Sequence, residues 1–347
     1  ADNGASIPEL IRHVRREDYL IVKETPGIAG KAGFRFSYPA GTRPDAGYLL
    51  LSRYDGDDER SYVELVDLNA QTVLHRWAPD IDAIWARSHL QSDNVNLARD
   101  KNLRRYLITH PYATEDGGLV FQGNASPLVK IDACSRLVWI NDEDLFHHAI
   151  ERDDNGMFWV ATDQEPVTIK GVPKEFHDSS IAMVTPDGKL LMNRSVSQIL
   201  IDNGLAHLLF WGDGFPDPIH LNDIEPVRKD GPYWRKGDLF LSLRSPSTVM
   251  LYRPSTNKVI WHKTGPWSKQ HDVDILDDHR ISIFNNNGRE EWVAFRTAEV
   301  NIYDFATGEV TSPWRAALER LHVWAPQESL AEILPNEELF VEVQPQG

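Results

Sequence analysis

Beyond the first twenty or so residues, apolar and polar positions alternate in short runs bounded by Gly, Pro, Asn and Asp. That is the period-2 signature of half-buried strands. The runs predict strands at Gly47–Tyr54, Ser61–Asp67, Thr72–Trp77, Arg105–His110, Gly118–Gly123, Leu128–Asp132 and Leu137–Asn141. Helical spacing holds for three turns only at Pro313–His322, where Trp314, Ala317, Leu318 and Leu321 share a face. Residues 7–20, with Pro8 suited to a first turn, predict a second short helix. No long Gly/Ser or Pro-rich linker divides the chain.

The strand pattern repeats. Asp132-Ala-Cys-Ser-Arg-Leu-Val-Trp139 is followed by His147-His148-Ala149 and then by Met157–Ala161. Ser255-Thr-Asn-Lys-Val-Ile-Trp261 is followed by Gln270-His271-Asp272 and then by Arg280–Phe284. Partial copies stand at Asp67–Trp77, Val184–Leu191, Tyr303–Val310 and Ala331–Leu339. Each reads as strand, tight Asp/Asn/Gly turn, strand. Four-stranded antiparallel units recurring at roughly 45–60 residues predict a β-propeller, whose radial closure leaves only short edges. The expected fold is therefore all-β: a single propeller over residues 47–347 with six four-stranded blades and short helical insertions. Residues 1–46 form an N-terminal extension. Because the last phrase, Glu338–Val343, supplies only one or two strands, Tyr19–Lys23 or Phe34–Tyr38 is expected to complete the final blade.

Composition narrows the function. The 347 residues carry 52 acidic and 36 basic side chains, a net charge of −16. Nucleic acid and anionic membrane surfaces are excluded as partners by that balance, since both require clustered Lys and Arg. No apolar run reaches the length of a membrane span. With Cys134 as the single cysteine, intramolecular disulfides and thiolate metal clusters are impossible. Eleven Trp, thirteen Phe and ten Tyr suit a β-rich core or an aromatic pocket. The stretch Ala1-Asp2-Asn3-Gly4 has neither the basic nor the apolar segment of a signal peptide. That fits a cytosolic protein, or one whose leader or anchor has been removed.

Histidines carry the candidate chemistry. His148, His220 and His271 each stand where an innermost strand begins. Such positions converge on the channel of a propeller, although these are widely separated in sequence. A histidine at a strand edge commonly serves structure alone, yet Ser329-Leu-Ala-Glu332 lacks one at the corresponding place, so the placement is selective. Arg244 ends an apolar strand with no acid beside it in sequence, a costly position unless an anion or a distant carboxylate meets its guanidinium. Asn222, two residues after His220, points to the same side of its strand. Three imidazoles alone could hold zinc, but the adjacent Arg repels a cation, so the set suits phosphate, sulfate or carboxylate. No metal and no nucleotide cofactor is expected, in keeping with a chain that lacks a Gly-rich phosphate loop.

These strings resemble the bacterial arylsulfate sulfotransferases, propeller enzymes that work without 3′-phosphoadenylylsulfate. Ile219-His220-Leu221-Asn222-Asp223 is similar to the family's His-x-Asn phrase, and Leu241-Ser-Leu-Arg244-Ser-Pro-Ser-Thr-Val249 to its Ser-x-Arg strand. Lys258-Val-Ile-Trp261, Gln270-His271-Asp272 and Ile283-Phe-Asn-Asn-Asn-Gly288 follow in the family's order; His147-His148 matches its paired histidines and Leu334-Pro-Asn336 its final phrase. The chain departs at Ala149, where the family has an acid, and at Asn285-Asn286-Asn287 in place of Phe-Asp-Asn. The stretch from Trp261 to His271 is also short. The resemblance implies transfer of a sulfuryl group from an aryl sulfate to a phenolic acceptor by a ping-pong route through a sulfohistidine. It also implies an exported protein, periplasmic or extracellular. By motif position, His271 would be the nucleophile, and His220, Asn222 and Arg244 would bind the sulfuryl oxygens. His148 or His147 would assist proton transfer, His147 otherwise lining the substrate site. The alternative is a propeller that keeps the fold and binds an anionic ligand without turnover. A calcium-dependent propeller hydrolase would instead require converging carboxylates.

Overall fold

The computed structural model describes residues 34–210, 216–288, 297–325 and 328–343. The chain divides into two compact units, Ala1–Asp142 and Glu143–Gly347. It is all-β, built from successive antiparallel meanders of the propeller kind with short helical insertions.

In the first unit, β1 (Tyr48–Asp55), β2 (Arg60–Asp67) and β3 (Thr72–Trp77) form one meander. Two short helices follow, α1 (Ile81–Trp85) and α2 (Leu97–Asp100). A second meander runs through β4 (Thr109–Ala113), β5 (Leu119–Gln122) and β6 (Ser126–Ile131) into β7 (Leu137–Arg152), the strand in which the division between units falls. Val63, Trp77, Phe121, Val129 and Ile131 form the core here.

The second unit opens on the later half of β7, paired antiparallel with β8 (Phe158–Asp163) and followed by β9 (Ser179–Val184) and β10 (Leu190–Ser195). A helix α3 (Val196–Asp202), capped by the Ser195 side chain, buries Val196, Ile199 and Leu200 in the core beside Leu241, Leu243 and Met250. Two four-stranded meanders come next. One consists of β11 (Leu221–Pro226), β12 (Leu239–Leu243), β13 (Thr248–Arg253) and β14 (Lys258–Thr264). The other consists of β15 (His271–Ile275), β16 (Arg280–Asn285), β17 (Glu299–Asp304) and β18 (Val310–Thr311). After α4 (Arg315–Arg320) the pair β19 (Ala331–Ile333) and β20 (Leu339–Val341) closes the described chain. Among the described residues, no helix is long and apolar enough to cross a membrane.

Strand boundaries depart from the sequence pattern in two instructive places. The run Arg105–His110 is apolar because Tyr106 and Ile108 are core residues, but the Arg105 and Tyr106 amides bond the Asn102 carbonyl in a turn. The strand begins instead at Thr109 and tolerates Pro111 because a bulge lies between Thr109 and Tyr112. At the other end of the meander, β7 does not stop at Asn141 but runs on through the paired histidines. Of the expected helical face near the C-terminus, Leu318 is buried while Leu321 is exposed. Phe34–Tyr38 forms no strand; the Tyr38 hydroxyl donates to the Leu68 carbonyl at 2.9 Å, which ties this segment to the β2–β3 turn. Residues 7–20 and Tyr19–Lys23 lie outside the described residues.

Consecutive inner strands of the second unit are joined by side chains rather than by a shared ladder. Asn222 on β11 donates its amide to the Gln270 carbonyl at 2.8 Å. Asp223 accepts from the Val273 amide at 2.7 Å, and Asp272 on β15 accepts from the Ala331 amide at 2.7 Å. Acids also alternate along these strands. Burial pushes Asp223, Glu225 and Asp272 well above the usual carboxylate range and raises Glu151 and Asp274 to about 7; neighbouring acids add to each shift. Arg228 bonds both Glu225, at 2.8 Å, and Glu151, at 3.2 Å.

Two outcomes follow from this seam. Asp223→Ala orphans the buried Val273 amide and should cost about 1–3 kcal/mol in urea unfolding, whereas Asp223→Asn keeps an acceptor and should cost much less. The raised acids also set a pH dependence. Their folded pKa values exceed the unfolded value of about 4, so the folded state holds the extra protons. The stability they contribute is full below that value and is lost as pH rises through 7. Thermal midpoints should therefore fall between about pH 5 and pH 8; a midpoint that climbs across that window would contradict the assignment.

Candidate active site

Three strands of the second unit carry an irregular step beside a candidate histidine. β11 carries a bulge between Leu221 and Asp223, β15 one between His271 and Val273, and the β7–β8 pair one between His147 and Ile150. His148 and His220 adopt left-handed backbone conformations, with φ of 60° and 50°, as does Asp272 with φ of 49°. A bulge re-aims the side chains beside it, and here it turns imidazoles toward one another. The His148 ring centre lies 5.0 Å from that of His220 and 6.2 Å from that of His271. The three do not share one ladder position: His271 pairs with Phe284, whereas His220 precedes the first pair, Leu221 with Leu243. The rings meet through different bulge geometries rather than through one repeated offset.

Each ring is held from behind. Asp217 grips His220 twice, taking its backbone amide at 2.9 Å and its Nδ1 at 2.5 Å, which leaves Nε2 for the site. His147 is buried behind His148, with the two Nδ1 atoms 2.7 Å apart, so one proton lies between them. The Nε2 of His147 lies 3.6 Å from Asp163 Oδ1, beyond hydrogen-bond length but close for a charge pair. His177 Nδ1 bonds the other Asp163 oxygen at 3.0 Å. Burial opposes the Asp163 charge, but His147 and His177 outweigh it and hold the carboxyl far below its usual range. The same contact raises His177. Asp144, buried nearby, is pushed up to about 7 chiefly by burial, and takes a hydrogen bond from the Asn193 amide.

His271 is buried, and its Nδ1 faces Asn286 Oδ1 at 2.7 Å and the Lys269 carbonyl at 3.2 Å. Arg244 immediately follows β12, and its backbone amide donates to the His220 carbonyl at 3.1 Å, so the two residues are adjacent by construction. Its side chain is half-buried rather than sequestered. Asn222 is buried, with its amide nitrogen committed to Gln270 and its Oδ1 lacking a hydrogen-bond partner among the described residues.

The structure thus brings His147, His148, His220 and His271 together, with Arg244 and Asn222 anchored beside them. Sequence reasoning missed the residues behind the rings. Asp217 was legible as Asp217-Pro-Ile-His220, and Asn286 lay inside the Asn285-Asn286-Asn287 run; Asp163 and His177 carried no local signal. The carboxylates that converge along the inner strands, Glu151, Asp223, Glu225, Asp272 and Asp274, were also missed, although their period-2 spacing was readable. As for metal-ligating geometry, the group Asp277, Asp278 and His279, of which only Asp278 is exposed, has ligand atoms within 4.8 Å of one another, but Arg280 already occupies Asp277 at 2.7 Å.

Comparison with known proteins bears on this site. No curated protein sequence matches the chain. Among solved structures, a protein of unknown function from Bacteroides caccae is 11% identical and superposes with a TM-score of 0.44, over 77% of this chain and 72% of its own. Virginiamycin B lyase from Staphylococcus aureus is 10% identical with a TM-score of 0.41, over 88% and 87%. The dihydro-heme d1 dehydrogenase NirN is 11% identical with a TM-score of 0.38, over 90% and 50%. Likenesses this loose carry no functional argument. The family model for arylsulfotransferase (ASST) matches residues 110–347, a span that holds every histidine, arginine and asparagine of the site, and the chain belongs to that family.

Proposed function

We propose that the protein transfers a sulfuryl group from an aryl sulfate ester to a phenolic acceptor by a ping-pong route, with His271 as the covalent nucleophile. The observation that carries this reading is the meeting of three imidazole rings from separate inner strands, His148 within 5.0 Å of His220 and 6.2 Å of His271, with Arg244 bonded to the same turn as His220. Such a set stabilises charge spreading over the sulfuryl oxygens, much as positioned donors and Arg do in phosphoryl transfer. His220, steadied by Asp217, and Arg244 bind those oxygens. Asn222 supports the site by fixing the backbone before His271.

Proton transfer falls to His148. When the S–O bond breaks, the electron pair leaves on the phenol oxygen, which takes a proton from His148. His147 refills His148 through the Nδ1–Nδ1 contact, and Asp163 supports the positive charge on His147. In the second half-reaction the acceptor phenol returns a proton along the same path. His147 is thus a supporting residue behind His148 rather than part of the substrate surface. The family resemblance supports a working site outside the cytoplasm.

Incubation with 4-nitrophenyl sulfate and phenol should release nitrophenolate faster than incubation without phenol. Donor alone should add about 80 Da, one sulfuryl group, to the peptide holding Gln270-His271-Asp272, as expected for an isolated covalent intermediate. His271→Asn should abolish the adduct and both half-reactions, while His220→Asn or Arg244→Ala should retain activity reduced by roughly 100- to 1,000-fold. A fully active His271→Asn protein would remove the mechanism.

The relay has its own signature. His147→Phe or Asp163→Asn should slow transfer from unactivated phenyl sulfates by up to about 100-fold or more, the range of general acid catalysis. Transfer from 4-nitrophenyl sulfate, whose leaving group needs little proton help, should slow far less. Rates measured across a series of substituted phenyl sulfates should therefore depend more steeply on leaving-group pKa in either variant; an unchanged slope would exclude the relay.

A further inference from the structure

The contacts of His271 determine which ring nitrogen carries its proton. Nδ1 faces two oxygens, Asn286 Oδ1 at 2.7 Å and the Lys269 carbonyl at 3.2 Å. The Asn286 amide cannot be turned over, because its Nδ2 donates to the Ala325 carbonyl at 2.9 Å and the Glu328 carbonyl at 2.8 Å. Turning it would set Oδ1 against two carbonyl oxygens and lose both hydrogen bonds. An amide oxygen and a peptide carbonyl only accept, so the His271 proton sits on Nδ1. In the neutral ring the lone pair is then on Nε2.

We propose that Asn286 is a positioning residue that fixes His271 as the Nδ1–H tautomer, so that Nε2 attacks sulfur and the sulfated ring keeps its Nδ1 proton. The inference rests on the reading of His271 as nucleophile. In the first step the Nε2 lone pair forms the N–S bond, the S–O bond breaks, and the phenol oxygen leaves with that electron pair and a proton from His148. Nδ1 retains its proton because neither neutral oxygen can take it up. The adduct is therefore an N-sulfated imidazolium, positive on the ring and negative on the sulfuryl group. Its nitrogen is a good leaving group: when the acceptor oxygen attacks sulfur, the N–S electron pair returns to Nε2 and the starting tautomer is restored. The Asn286 amide thus keeps the Nδ1 proton in place throughout the cycle.

Nitrogen NMR of the full chain labelled at histidine tests this without any substitution. The wild-type protein before reaction should show His271 with a protonated Nδ1 and an unprotonated Nε2, and the trapped adduct should carry its sulfuryl group on Nε2. In Asn286→Ala the Nδ1–H population should fall and sulfuryl transfer should drop by about 10- to 100-fold, by analogy with loss of the partner that orients a metal-ligating histidine. The remaining histidine signals report whether that variant has folded, and the two wild-type measurements decide the matter if it has not. An Nε2–H tautomer in wild type, or a sulfuryl group on Nδ1, overturns the role of Asn286. The Nδ1–H tautomer in a protein that never forms the adduct would instead overturn the reading of His271 as nucleophile.

Discussion

The side chains that join one inner strand to the next are what the site depends on. Asn222 holds the Gln270 carbonyl and Asp223 the Val273 amide, so His271 sits in a segment clamped on both sides by β11. Asp272 passes the same restraint on to Ala331. Strands that diverge from an axis cannot share a ladder along their length, and their amides and carbonyls would be orphaned without such bonds. The bonds that satisfy that backbone also fix the distances between imidazoles drawn from different strands.

Carboxylates play two electrostatic parts in the second unit. Asp163 and Asp217 stay close to histidines and stabilise them, Asp163 being held ionised by His147 and His177. Asp223, Glu225, Asp272 and Asp274 instead face one another, with Arg228 the cation bonded to Glu225, and burial drives them toward the neutral form. A chain with a net charge of −16 can thereby gather histidines and an arginine in one place, because part of its acidic complement stands behind the rings and burial drives part toward the neutral form.

The left-handed steps at His148, His220 and Asp272 belong to the same economy of placement. A non-glycine residue with positive φ is strained by roughly 1–3 kcal/mol unless its surroundings hold it. At His220 those surroundings are visible: Asp217 takes both the backbone amide and the ring, and Arg244 donates to the carbonyl.

The sequence by itself determined the strand-turn-strand repeat, because period-2 burial and Asp/Asn/Gly turn chemistry are local; β3 was legible to the residue. It also determined which histidines, arginine and asparagine to watch, since their motif strings are contiguous. Tertiary structure alone decided how far β7 runs, because the strand continues through a bulge that no local pattern announces. It decided, too, that His147 lies behind His148, with Asp163 behind His147 and His177 behind Asp163, contacts between residues 16 and 14 positions apart that depend on strand register. The partner of His271 was likewise hidden. Asn286 is 15 residues away on the neighbouring strand's end, and its amide is oriented by the carbonyls of Ala325 and Glu328. An atom-level choice between two ring nitrogens is made by hydrogen bonds that exist only once those distant segments are packed together.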